Sequence, residues 1–242
     1  MSLVDDFRAL HRGRAPGDPL VLPGPWDAAS ARVFVDAGFP ALATPSAGVA
    51  ASLGYADGEV PPDEMFAAVA RIVRSVSGAV PVSADIEDGY GLPPKELVER
   101  LLETGAVGCN LEDSSNANGA LKDPREQAEW LAEVRSVAGG AVFLNARVDT
   151  FIKGVSDPGR AIERARLYVA AGADCVYPIG APQEVLPELR AGIKGPINVG
   201  AGPASGSALR ELGALGATRI TFGPGLQIRA TEALREIAAG LG

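Results

Sequence analysis

Three carboxylates crowd one short turn. Asp85, Glu87 and Asp88 lie within Ser83-Ala84-Asp85-Ile86-Glu87-Asp88-Gly89-Tyr90-Gly91, directly after the apolar run 79–82. Unpaired, acids this close repel one another and raise each other's pKa, whereas a hard divalent cation such as Mg²⁺ takes oxygen ligands and turns the repulsion into binding. The same turn could instead be a solvated acidic cap on the following helix, so its meaning depends on what stands around it. Further along, Asn110-Leu111-Glu112-Asp113 and Asn145-Ala146-Arg147-Val148-Asp149 place more acid and one arginine at the ends of apolar segments. Pro45-Ser46-Ala47-Gly48, Leu53-Gly54-Tyr55-Ala56-Asp57 and Asn198 before Gly200-Ala201-Gly202 add hydroxyl, amide and backbone groups.

The elements that must position these residues repeat in kind: a short apolar strand, a loop rich in Gly, Pro or polar residues, then an amphipathic helix. Eight such units are expected. Their strands are 20–22, 41–44, 80–85, 107–112, 141–147, 174–178, 196–199 and 219–222. Their helices are 28–37, 62–75, 94–104, 124–138, 158–171, 183–189, 205–215 and 226–241. Several helices open with Pro in the first turn and close at Gly. An additional amphipathic helix over 2–12 is expected to cover one end of the core. Near-continuous apolar strands alternating with helices read as a parallel sheet, and at 242 residues a closed α/β barrel of (β/α)₈ type, in one domain over 1–242, is the natural solution. A doubly wound open sheet is the alternative, but Pro23-Gly24-Pro25-Trp26 after the first strand carries no dinucleotide fingerprint.

Composition narrows the function. Hydrophobic residues make up 47% of the chain, enough for a large core. A net charge of -8 argues against nucleic-acid and anionic-membrane partners, both of which need a basic footprint. No apolar run approaches a bilayer span and the N-terminus lacks a signal-peptide core, so a cytoplasmic protein is expected. Cys109 and Cys175 share no metal or redox spacing and read as buried thiols. The sole histidine, His11, is expected to be exposed at a helix end, leaving acid-base work to carboxylates, Lys, Tyr or water.

A barrel carries its chemistry on the loops after its strands, and the reactive residues gather there. Across one mouth, Asp85, Glu87 and Glu112 could share a cation while Arg147 faces it. The cation would hold the oxygens of a 2-oxo acid, and Arg147 would stabilise developing negative charge. The alternative for Arg147 is a structural ion pair with one of those acids. The glycines at 200–202 and 223–225 fit a phosphate site or plain turns equally well.

At these residues the chain resembles the isocitrate lyase and phosphoenolpyruvate mutase superfamily. The resemblance rests on Leu53-Gly54-Tyr55 to Asp57, the Asp85 to Gly91 turn, Leu111-Glu112-Asp113, Ala146-Arg147-Val148 and Ala171-Gly172-Ala173-Asp174, in this order. It implies a (β/α)₈ barrel whose last helix is exchanged between subunits of a dimer of dimers. It implies Mg²⁺, with Mn²⁺ as a substitute, at Asp85, Glu87 and Glu112, directly or through water, with Asp57 in the same acidic shell. Arg147 would hold the carboxylate or enolate oxygen of a small anionic 2-oxo acid, with Ser46, Ala47, Tyr55 and Asn198 in the substrate-binding set. The implied reaction breaks or forms a carbon-carbon or carbon-phosphorus bond through a pyruvate enolate.

The chain also departs from that pattern. The Lys-Lys/Arg-Cys-Gly-His segment of the lyases is replaced by Ser114-Ser115-Asn116-Ala117-Asn118-Gly119-Ala120-Leu121-Lys122-Asp123, which argues against isocitrate or methylisocitrate cleavage. Lys122 is the candidate proton donor or acceptor on this loop, set against a solvated surface lysine. Ile179 falls where mutases place His and lyases place Glu, and Pro45 falls where a substrate-binding Ser is common. The expectation is a Mg²⁺-dependent lyase-type enzyme, with a phosphonopyruvate mutase or an inactive 2-oxo-acid binder as alternatives. A Schiff-base aldolase is disfavoured, because no strand core carries a lysine.

Overall fold

The computed structural model describes residues 2–76 and 78–241. Eight parallel strands occupy the predicted segments: β1 (Leu20–Val21), β2 (Leu42–Ala43), β3 (Val82–Asp85), β4 (Gly108–Glu112), β5 (Phe143–Val148), β6 (Cys175–Pro178), β7 (Asn198–Gly200) and β8 (Arg219–Thr221). They form a five-stranded ladder, β2-β3-β4-β5-β6, and a three-stranded ladder, β1-β8-β7. One parallel bridge, Val176 with Ile197, links β6 to β7, and the Ala43 N–H donates to the Pro23 carbonyl at 3.1 Å between β1 and β2. The continuous eight-stranded ladder expected from sequence is therefore interrupted at two seams. Proline explains them: Pro23, Pro40, Pro45 and Pro196 border the strands at these seams, and a residue without an N–H cannot donate to a ladder.

The helices follow suit: α1 (Leu3–Leu10), α2 (Ala28–Asp36), α3 (Ser46–Leu53), α4 (Pro62–Val76), α5 (Pro94–Glu103), α6 (Pro124–Ala138), α7 (Pro158–Ala170), α8 (Leu186–Gly192), α9 (Gly206–Ala214) and α10 (Gly225–Ala239). Of these, α3 is not anticipated by the sequence reading, which leaves its residues in a loop. No described helix is long and apolar enough to cross a membrane.

Strand side chains alternate, so the two faces of the strands bury different cores. A large cluster between strands and helices includes Leu42, Val69, Ile72, Leu111, Leu144, Val176 and Ile220. A separate cluster of Leu20, Leu22, Ala41, Ala43, Val107, Phe143 and Cys175 collects on Phe7 of α1. Helix α1 thus closes the end at which the strands begin, as expected. Arg8 fixes it there, donating to the carbonyls of Gly140 and Val142 and to Asp174, which also pairs with Arg135.

His11 corrects an expectation. It is buried, its ring stacked 4.3 Å from Phe143, with Nδ1–H donating to the Phe7 carbonyl at 2.7 Å. Capping α1 directs the ring inward with Phe7 rather than into solvent. Burial pushes its pKa down to about 3, so it is neutral. Both cysteines are buried free thiols, as expected, and burial raises each to about 12. Helix α10 buries none of its residues, and it exposes Ile228, Leu234 and Ile237.

Candidate active site at the strand C-termini

The acidic turn is held in an uncommon backbone conformation. Glu87 and Tyr90 adopt φ of 53° and 57°, the left-handed region that costs non-glycine residues about 1–3 kcal/mol when the surroundings impose it. Between them Gly89 has φ 84°, and a Cβ there would meet the Trp130 ring at 2.9 Å. The turn is therefore built tight against α6, with its acids spread around it.

Asp85 ends β3 and is caught from several sides. Its Oδ1 accepts from Asn110 Nδ2 at 3.1 Å and from the Glu87 N–H at 3.3 Å, and its Oδ2 accepts from Ser46 Oγ at 3.1 Å. Its own N–H donates to Thr44 Oγ1. Asn110 is held in turn by Asn145 Nδ2, which donates to Asn110 Oδ1 at 2.9 Å. Parallel register makes this chain possible, because Asp85, Asn110 and Asn145 are successive partners across β3, β4 and β5.

One register step further, Glu112 pairs with Arg147. Their side chains form an ion pair at 2.6 Å, and Arg147 also makes a two-point contact with Asp149 at 2.6 and 3.1 Å. The ion pair weighed from sequence is thus present, and it fixes the guanidinium at the same cavity as Asp85. Burial pushes the Glu112 carboxyl up while Arg147 opposes the shift, and the bonds to Asp149 raise Arg147 against its own burial. Burial also lifts Glu87 to about 7, helped by Asp85. Asp57 is raised for the same two reasons.

A cavity of about 240 Å³ brings together Ser46, Ala47, Asp57, Asp85, Arg147 and Asn198, six of the residues expected from sequence. Ser46 and Ala47 open α3, whose cap residue, Pro45, offers no side-chain bond to the first N–H groups, so this terminus favours an anion. Ile179 lines the same space and makes that part of the wall apolar.

Four expected residues do not line this cavity: Glu87 and Glu112, which are bonded to Asn116 and Arg147, and two others that lie elsewhere. Tyr55 does not reach the cavity; its hydroxyl donates to Glu64 at 2.7 Å, because the left-handed Gly54 turns the chain away after α3. Lys122 lines a second cavity of about 660 Å³ with Trp130 and Tyr90, its Nζ 3.6 Å from Asp88 and 5.5 Å from the Trp130 ring centre. The loop that carries it is a small hairpin closed by a Ser114–Leu121 bridge and docked on the acidic turn. The Asn116 N–H donates to Asp88 at 3.1 Å and its side-chain amide donates to Glu87. Asp113, part of the Glu112-Asp113 motif, faces Arg164, Tyr168 and the Asp149 N–H instead of the cavity.

Among the described residues no three His, Cys, Asp or Glu side chains converge as a ready-made metal cage. The donor set still fits a hydrated cation. Glu87 Oε1 is buried without a partner, and burial together with the neighbouring Asp85 raises the proton affinity of Asp57 and Glu87, which a cation reached partly through water would relieve. Asn110, Asn145, Thr44 and Tyr177 were not assigned to the site from sequence. The available signal was the polar residue at every second strand position, Asn110 and Glu112 or Asn145 and Arg147.

A parallel α/β scaffold thus gathers carboxylates opposite Arg147 at its strand ends, and the relatives that share the chain's family include lyases and mutases. The chain belongs to the phosphoenolpyruvate phosphomutase family, whose model matches residues 7–241, and it is an enzyme of the isocitrate lyase/phosphoenolpyruvate mutase superfamily. An uncharacterized protein of Mycobacterium tuberculosis is 36% identical over 90% of this chain and 81% of its own length. The 2-methylisocitrate lyase of Halalkalibacterium halodurans is 31% identical over 73% of this chain, a match that spans 59% of the lyase. A candidate phosphonomutase from Burkholderia cenocepacia J2315 superposes with a TM-score of 0.87 at 39% identity, covering 98% of both chains.

Proposed function

We propose that this enzyme is a Mg²⁺-dependent lyase that cleaves a carbon-carbon or carbon-phosphorus bond of a small 2-oxo acid, in a barrel closed across both seams. The observation that carries the reading is Arg147, clamped by Glu112 and Asp149 at a cavity that also holds Asp85, Asp57 and the start of α3. At about 240 Å³ the cavity suits a substrate of a few carbons. Asp85 would hold the cation, with Glu87 and Glu112 reached through water. When bound, Mg²⁺ supplies Lewis-acid stabilisation of adjacent substrate oxygens.

The chain's own residues do the rest. Backbone N–H groups of Ser46 and Ala47 receive the substrate carboxylate. Arg147 stabilises the enolate oxygen formed when the breaking bond leaves its electron pair on the pyruvate fragment. Asp57, with its raised proton affinity, is suited to carry a proton at the rim. Lys122 would take part only after the 114–123 hairpin moves. Exposed apolar residues on α10 support a homo-oligomer, a dimer of dimers with this helix packed on a neighbouring subunit. Buried free thiols suit a cytoplasmic enzyme.

The test is pyruvate release from oxaloacetate, phosphonopyruvate and related 2-oxo acids, with and without Mg²⁺, using Asp85→Asn as control. Metal-dependent release that is lost in the variant is expected, and release indifferent to chelation would sink the reading. The apolar Ile179 favours one alternative, a binder without turnover. Mg²⁺-dependent oxalate binding, with no substrate of the panel consumed, would select it.

A further inference from the structure

Arg219 opens β8 and is the largest fully buried side chain of the molecule, 1% exposed. No carboxylate pairs with it among the described residues, and its Nε and Nη1 are buried without a hydrogen-bond partner. The Phe7 ring, 5.9 Å from its Cζ, faces it from the base. His11 carries no negative charge in either protonation state, and with its proton on Nδ1 its Nε2 lone pair is buried without a hydrogen-bond partner. Burial pushes the guanidinium pKa down, yet an arginine keeps its charge at neutral pH. An unpaired buried cation of this kind is strongly destabilising unless something compensates it.

The surroundings offer space and further unmet bonds. Arg219 lines the cavity that holds Asp85 and Arg147, together with Ser83, Asn145, Asn198 and Thr221. Ser83 Oγ there is also buried without a partner and can donate; Asn145 Oδ1 is an unpartnered acceptor in the same space, and Asp85 is the carboxylate whose field reaches Arg219 without pairing with it. Asn198 and Thr221 satisfy each other and do not compete for Arg219.

We propose that this cavity holds an anion site at Arg219, in which Arg219 Nε and Nη1 and the Ser83 hydroxyl bind one small monoanion, a halide or a carboxylate group. The site does not depend on the reaction proposed above, since it follows from the charge balance of the barrel interior.

The test uses the full-length protein in chloride or bromide against gluconate at equal ionic strength. The small halides should raise the Tm by roughly 5–10 °C at about a hundredfold excess over the dissociation constant. Arg219→Met should lose that dependence, and Arg219→Lys should keep part of it. Crystals grown in bromide should show an anomalous peak within hydrogen-bond distance of Nε or Nη1. Displacement of bromide by oxalate would make the substrate's carboxylate the source of the anion, and bromide persisting beside oxalate would make it a free inorganic ion. Equal melting in both salts, with no peak at Arg219, would overturn the proposal. The crystal keeps the question decidable if neither variant folds.

Discussion

The two ends of the strands treat polar groups in opposite ways. At the base, where the strands begin, Phe7, Leu20, Leu22 and Phe143 fill the interior, and the part-buried acid Asp174 is neutralised by Arg8 and Arg135. At the mouth, burial and the neighbouring Asp85 raise the proton affinities of Asp57, Glu87 and Glu112, Glu87 leaves an oxygen unmatched, and two residues of the acidic turn sit in left-handed backbone. The base pairs its part-buried acid, whereas the mouth leaves a carboxylate oxygen unpaired. Such a difference is expected when one end maintains the fold and the other is arranged for a ligand that completes it.

Two substitutions can break that division. Phe7→Ala should cost about 3–5 kcal/mol by opening a cavity in the basal cluster, lowering the Tm by roughly 6–20 °C. Turnover per folded molecule, measured well below the transition, should stay unchanged. A loss of turnover without a loss of stability would mean that the base is coupled to the chemistry. Arg147→Lys should do the reverse. It keeps a positive charge between Glu112 and Asp149 but loses the planar two-point contact, so kcat should fall by about 10²–10³-fold. Its Tm should move less than that of Phe7→Ala. Unchanged kinetics would assign Arg147 to the structural ion pair alone.

How much of this was legible follows the same line. The strands could be placed because each is an apolar run bounded by turn residues, and their C-terminal acids could be grouped because parallel strands put them on one edge. Helix α3 escaped notice: Ser-Ala-Gly-Val-Ala-Ala-Ser-Leu has no polar face to set a helical period, and it is buried along much of its length. Tyr55 and Lys122 were assigned by their nearness in sequence to mouth loops, but Gly54 and the 114–123 hairpin turn them toward Glu64 and Asp88. Sequence proximity does not encode which way a loop side chain points. His11 defeated the reading for a related reason, since residue type predicts exposure and tertiary packing overrode it.

His11 offers the smaller and more selective measurement, because it titrates at the base while the raised acids titrate at the mouth. Folded His11 has a pKa of about 3 against an ordinary 6.5, so the unfolded chain binds a proton below pH 6.5 that the folded chain refuses. Its contribution is complete above that pH and is lost as the pH falls, by about 2 kcal/mol at pH 5. Glu87, with its raised pKa, works in the opposite sense: it favours the folded state at low pH and loses that contribution as the pH rises toward about 7. A single denaturation curve would mix the two. The difference between wild type and His11→Gln, followed by urea unfolding from pH 8 to pH 5, cancels the acids common to both proteins. Wild type should lose stability relative to the variant on acidification. If the two curves stay parallel, the ring is protonated in the folded protein and the base is not the dry end described above.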